Sequence, residues 1–334
     1  MAPIATAQAR PALDRLRGVA EQAGFEALLL TSEAGRRYVL GRDTGPVGAA
    51  VVLTVAGSVA EGPDAVEALS TAGVGTGPVG VEDDVPWALS GRLSDGGVSL
   101  RSASDVVFAE LVRCTPEERA AFGEAAELAA VGYTAVMDHL HVGMDVREIT
   151  ANVDRSVRRA GGLLGWYPPG AGAGSDLVTV HGHDPRTARL TATSPIRYTL
   201  HPTAGGSQGL ATATAVLCKA GPALRAAAES CSAATEALIT ALRPGKPLRE
   251  GHAAAARELG DRPGTSRILA LRGGSARCSP PSGEVCAGPD TVLGVHVTVG
   301  VPGGAAVELA ETVLVTGAGP EPLAKTPLRL VELY

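Results

Sequence analysis

The stretch Thr115-Pro116-Glu117-Glu118 constrains this chain's fold more than any other of its length. A threonine hydroxyl can take the backbone N–H three residues on, and a glutamate at that position can return the bond. Proline tolerates the first helical position because its missing N–H has no partner there anyway. Two acidic residues in the first turn also suit the helix dipole. A helix beginning at Pro116 and running to about His139 is therefore expected. It separates two stretches of different character, so the chain reads as two parts.

Before that helix, helices and strands alternate. Leu13, Leu16, Val19 and Ala20 keep helical spacing within Ala12 to Ala23, and Gly24 ends the run. Apolar runs at Phe25 to Thr31, Ala49 to Thr54, Val79 to Val81 and Val98 to Leu100 read as strands, with a helix at Asp64 to Thr71 between them. This is the pattern of a layered α/β unit. After the long helix, a second helix spans Val146 to Ala160. Short strands follow at Leu177–Val180, Ile196–Leu200, Ala211–Cys218, Val292–Val299 and Ala306–Val315, interrupted by helices at Ala223–Leu242 and Leu248–Leu259. The fold class is mixed α/β (α+β), with a first domain over 1–105 and a second over 106–334. Apolar residues make up 45% of the chain and aromatics only 3%, so the cores must be built from Ala, Val and Leu.

Composition narrows the function. The net charge is -6 and no run of Lys or Arg exceeds two residues, which argues against a nucleic-acid partner. No apolar run is long enough to cross a membrane. Arginines interrupt the N-terminus where a signal peptide needs its apolar stretch. Five scattered cysteines without a CxxC suit a reducing compartment better than a disulfide framework, so a cytoplasmic location is expected. Cys218 has no neighbouring base in sequence and reads as a buried small hydrophobe rather than a nucleophile.

The order of pieces carries a family resemblance. An α/β appendage contains Arg15-Leu16, Gly24 to Leu30 and Arg37-Tyr38-Val39-Leu40-Gly41. Glu110-Leu111, Arg113 and Thr115 to Glu118 form the junction. Gly143 to Ile149, His181-Gly182, Gly209-Leu210, Pro244-Gly245 and Glu311 to Thr316 follow in the second part. Together these resemble the creatinase/aminopeptidase P family. The resemblance implies a small creatinase-N-like α/β domain followed by a pita-bread domain, and a homodimer paired through the first. It also implies, for typical members, two divalent metals held by two Asp, one His and two Glu, which would activate a water.

Those ligand places are altered in this sequence. Anchored on Gly209, the two aspartate positions hold Pro202 and Ala213. The histidine position falls at Ser275 or Gly274, the first glutamate position at His296, and the last at Ala310. No Asp occurs between Asp184 and Asp261, so a register slip cannot restore both aspartates. No metal cofactor is expected. His181 matches the family's cleft histidine, which in relatives binds or protonates substrate. His181 and His296 are thus the candidate acid-base residues, with Tyr167, His183, Glu308 and Glu311 as candidate substrate contacts. His201, beside Pro202, is expected to point away from the cleft. A retired member binding a small molecule or a protein is the expected function. The alternative is a metal-free enzyme, hydrolase- or lyase-type, acting through cleft histidines in a specialised biosynthetic pathway.

Overall fold

The computed structural model describes residues 5–41, 49–75, 77–83, 85–164, 178–180, 189–192, 195–272, 275–278 and 284–334. Two compact units divide the chain. Residues 1–112 with 280–285 form one, and 113–279 with 286–334 form the other.

In the first unit the order is α1 (Ala5–Gln22), β1 (Ala27–Leu30), α2 (Glu33–Leu40), β2 (Ala50–Thr54) and β3 (Val59–Gly62). Then come α3 (Ala65–Ala72), β4 (Val79–Val81), α4 (Trp87–Asp95), β5 (Leu100–Ser102) and α5 (Ser104–Val112). The five strands lie in the order β3-β2-β1-β4-β5. β1, β4 and β5 run parallel, and β2 and β3 antiparallel. Leu29, Val52, Val79, Ala68 and Leu93 fill the core between sheet and helices, which is how a chain with few aromatics packs. The buried Glu82 carboxylate ties β4 to the start of α2. It accepts the N–H groups of Thr31 and Ser32 and the Ser32 hydroxyl. Ser32 in turn caps α2 through Gly35 N.

In the second unit α6 (Pro116–His139) begins as its sequence dictates, with both halves of the Thr115/Glu118 capping box formed. α7 (Val146–Arg159) follows, then β6 (Leu163–Leu164), β7 (Val178–Val180), β8 (Ile196–Leu200), β9 (Pro202–Ala204), β10 (Ser207–Gln208) and β11 (Ala211–Val216). Helices α8 (Pro222–Ala241) and α9 (Arg249–Leu259) precede β12 (Gly264–Arg272), β13 (Ser275–Cys278), β14 (Thr291–Gly300), β15 (Ala306–Thr316), β16 (Gly319–Pro322) and β17 (Val331–Glu332). The main path of this sheet is β6-β9-β10-β12-β14-β15-β11-β8-β7. β12 has no counterpart among the sequence expectations, although it is nine residues long and joins the halves of the sheet. Its first half, Gly264 to Arg267, is polar or glycine and carries no alternating apolar signal.

Gly209 shows how tightly helix and sheet meet. A Cβ there would lie 2.2 Å from the Ala125 carbonyl oxygen of α6, so only glycine lets the strand pass so close beneath the helix.

Candidate functional site

Pairing register settles which residues share a face at the centre of the large sheet. His296 of β14 lies opposite Ala310 of β15 and Arg267 of β12. Ala310 lies opposite Thr212 of β11, and Thr212 and Thr214 lie opposite Thr199 and Arg197 of β8. Directly opposed residues share a face and successive residues alternate. Arg267, His296, Glu308, Thr214 and Arg197 therefore form a polar belt on one face, crossing five strands.

The belt is bonded along its length. Arg197 donates to the Glu308 carboxylate in a buried ion pair. His296 Nε2 lies 3.1 Å from the other Glu308 oxygen. Thr214 Oγ1 accepts the Glu308 N–H at 2.9 Å and donates to the Glu308 carbonyl at 3.2 Å. Burial by itself would push the Glu308 carboxyl up. His296 and Arg197 together outweigh that and hold it below the ordinary carboxylate range. Glu308 is then an anion at neutral pH, and the proton shared with it belongs on His296 Nε2. In the neutral imidazole this leaves the acceptor lone pair on Nδ1. The side chains of Arg197 and Glu308 are 8% and 9% exposed, and that of His296 17%. Arg267 is exposed. The belt thus opens from a closed end at Arg197 to an open end at Arg267.

Beside it the same face is apolar. Ala310, Leu210, Leu269, Leu271, Val292 and Leu314 cluster with Phe122 of α6. Leu210 and Leu271 close over Gly294, where a Cβ would meet them at 2.8 and 2.9 Å. The surface around Ala310 is therefore a packed hydrocarbon floor.

Of the residues singled out from sequence, His296 and Glu308 come together. Ala213 does not join them. It pairs with Tyr198 on the opposite face, and Thr212 is the residue opposite Ala310. Counting from Gly209 gives the spacing but not the face, and one residue of register inverts a strand. Pro202 lies in β9, where its carbonyl accepts the Gly209 N–H. His201 is buried at the junction of β8 and β9. Ser275 begins β13. His181, His183, Tyr167 and Gly274 lie outside the described residues. Arg197, Thr214 and Arg267 carried no motif.

Glu311 faces away from the belt. Its carboxylate accepts the N–H groups of Thr312, Ala324 and Thr326 and so fastens the segment after β16. Burial pushes its pKa up to about 7, and the backbone donors only partly offset this. A raised carboxyl pKa in the fold favours the protonated form there. Its stabilising contribution is full below about pH 4.5 and fades as pH rises to about 7. Denaturation midpoints of Glu311→Gln should lack that portion of the wild-type decline across this window, and identical pH profiles would contradict it.

Two observations place the chain among known proteins. The family model described as "Metallopeptidase family M24" matches residues 120–317, more than half the chain. The chain belongs to that family. No curated protein matches this M24 member at the sequence level. Among solved structures it is similar to dipeptidase PepE from Mycobacterium ulcerans, at 18% identity over 97% of this chain and 98% of that one, with a TM-score of 0.75. A prolidase from Thermococcus sibiricus has 15% identity over 98% and 100% and a TM-score of 0.73. The N-terminal domain of the FACT complex subunit SPT16 from Cicer arietinum has 14% identity over 98% and 99% and a TM-score of 0.69. The mixed α/β pita-bread architecture is shared with these structures.

A dinuclear metal centre does not fit the described residues of this site. Among the described residues no group of three or more His, Cys, Asp or Glu could hold a metal ion. Among the described residues, His296 lies opposite Ala310 and Glu308 lies two residues from it on the same strand. Both Glu308 oxygens are already engaged, by Arg197 and by His296.

Proposed function

We propose that this M24 member is not a metallopeptidase but a pseudoenzyme that binds a small molecule or a partner over the polar belt of the large sheet. The observation that carries the reading is the floor around Ala310. Methyl and isobutyl groups occupy the ground where a dinuclear centre needs carboxylates. The belt beside it keeps its own ion pair and hydrogen bonds, with His296 and Arg267 at the open end. A cytoplasmic homodimer goes with this reading, supported by the sparse free thiols and by the pairing that the creatinase-like first domain implies. No helix of the described residues is long and apolar enough to cross a membrane. Native mass spectrometry of purified protein should find two chains and no stoichiometric manganese, cobalt or zinc. Xaa-Pro dipeptides should remain uncleaved after those ions are supplied. Metal-dependent dipeptide cleavage would overturn the reading.

One observation favours a second reading, a metal-free enzyme. A carboxylate that fixes an imidazole through Nε2 and frees Nδ1 is an arrangement suited to proton transfer. Turnover of a bound compound that disappears in His296→Gln while binding persists would select this reading over the first.

A further inference from the structure

The geometry points to an anionic ligand, one carrying a carboxylate or phosphate group, seated between Arg267 and His296. This rests on the ligand-binding reading above and names the chemistry of that site.

Charge on the belt face carries the argument. On β8, β11, β12, β14 and β15, the positions of that face hold Arg197, Arg267, His296 and a single carboxylate, Glu308. Glu308 is 9% exposed and closed in by Arg197 on one side and His296 on the other. Its negative charge is thus spent inside the belt, on the guanidinium at the closed end. What remains at the open end is Arg267, exposed and directly opposite His296 across the β12–β14 pair. Arg267 makes no ion pair among the described residues. Counting the guanidiniums of Arg197 and Arg267 against the Glu308 carboxylate, the belt carries one excess positive charge. Thr298 and Thr265, opposite one another on the same face and two residues along, add hydroxyls without charge.

A guanidinium presents parallel N–H groups that match two oxygens of a carboxylate or phosphate. The His296 ring, held through Nε2 by Glu308, stands directly across from that guanidinium and forms the second wall of the seat. A cationic ligand would meet Arg267 first and find Glu308 already engaged. The site therefore selects against positive charge as well as for negative charge.

A shape-matched series isolates the charge. Benzoate, benzamide and benzamidine share a ring and a planar three-atom head, with charges of minus one, zero and plus one. Titration of the whole protein, followed by NMR of the His296 ring and by calorimetry, should show benzoate binding at least tenfold more tightly than the other two. Arg267→Ala should weaken benzoate at least tenfold, and Arg267→Lys should recover part of the loss. Arg267 is exposed on its strand, so neither variant threatens the core. Phenyl phosphate distinguishes the source of the anion. Tighter binding than benzoate assigns it to phosphate and weaker binding to carboxylate, and either agrees with the inference. Benzamide or benzamidine binding as tightly as benzoate would overturn the anionic assignment while leaving ligand binding intact. Benzoate binding that ignores Arg267→Ala would overturn the placement. A His296 ring that responds to none of the four compounds would count against ligand binding itself.

Discussion

Arg197→Ala should destabilise the second unit by about 3–5 kcal/mol, because it strands the Glu308 carboxylate in a buried setting with only His296 left beside it. The loss comes from the abandoned charge more than from any net strength of the ion pair. Replacing both partners together, as Arg197→Met with Glu308→Leu, should therefore recover most of the stability. Urea denaturation of the single and double variants measures both quantities. A single variant within about 1 kcal/mol of wild type would mean that solvent reaches Glu308 freely, and the closed end of the belt would be wrong.

Phe122→Ala should cost a comparable amount, about 3–5 kcal/mol. Phe122 is 1% exposed and seals the cluster that contains Ala310, Leu210 and Leu271. Truncation leaves a cavity that hydrocarbon lines. The variant should consequently unfold at lower denaturant yet gain no affinity for manganese or zinc, although it opens space beside the family's ligand places. Metal uptake at one or two ions per chain by this variant would show that packing, rather than ligand chemistry, had been excluding the ions.

These expectations depend on features that differ in how far the sequence disclosed them. The start of α6 was legible because capping is local: Thr115, Pro116 and Glu118 carry their own hydrogen-bond logic. The alternation of helix and strand in the first unit was legible for the same reason, as apolar period needs no partner to be seen. Spacing from the Glu311 to Thr316 run brought Ala310 and His296 into the reading, and Glu308 stood among the candidates. Faces were not. Whether Ala213 or Thr212 opposes Ala310 depends on pairing between strands that lie about a hundred residues apart in sequence. Arg197 was invisible for a related reason, since only the fold brings it to Glu308, 111 residues away. Glu311 and Glu308 look alike in the sequence, and their division of labour follows from parity along one strand. One points to the belt and the other fastens the segment at Ala324 to Thr326.

The belt residues lie on one face of their strands, and the positions between, such as Val295, Val297, Val307 and Leu309, are fully buried. Two vocabularies are thus written into the same β14 and β15 residues, one read by the core and one by the cleft. Either can be rewritten while the other is left alone. A lineage could exchange acids for alanine, histidine and arginine on one side of the sheet without the opposite side registering the change. That independence is a physical route by which a scaffold outlives its original chemistry.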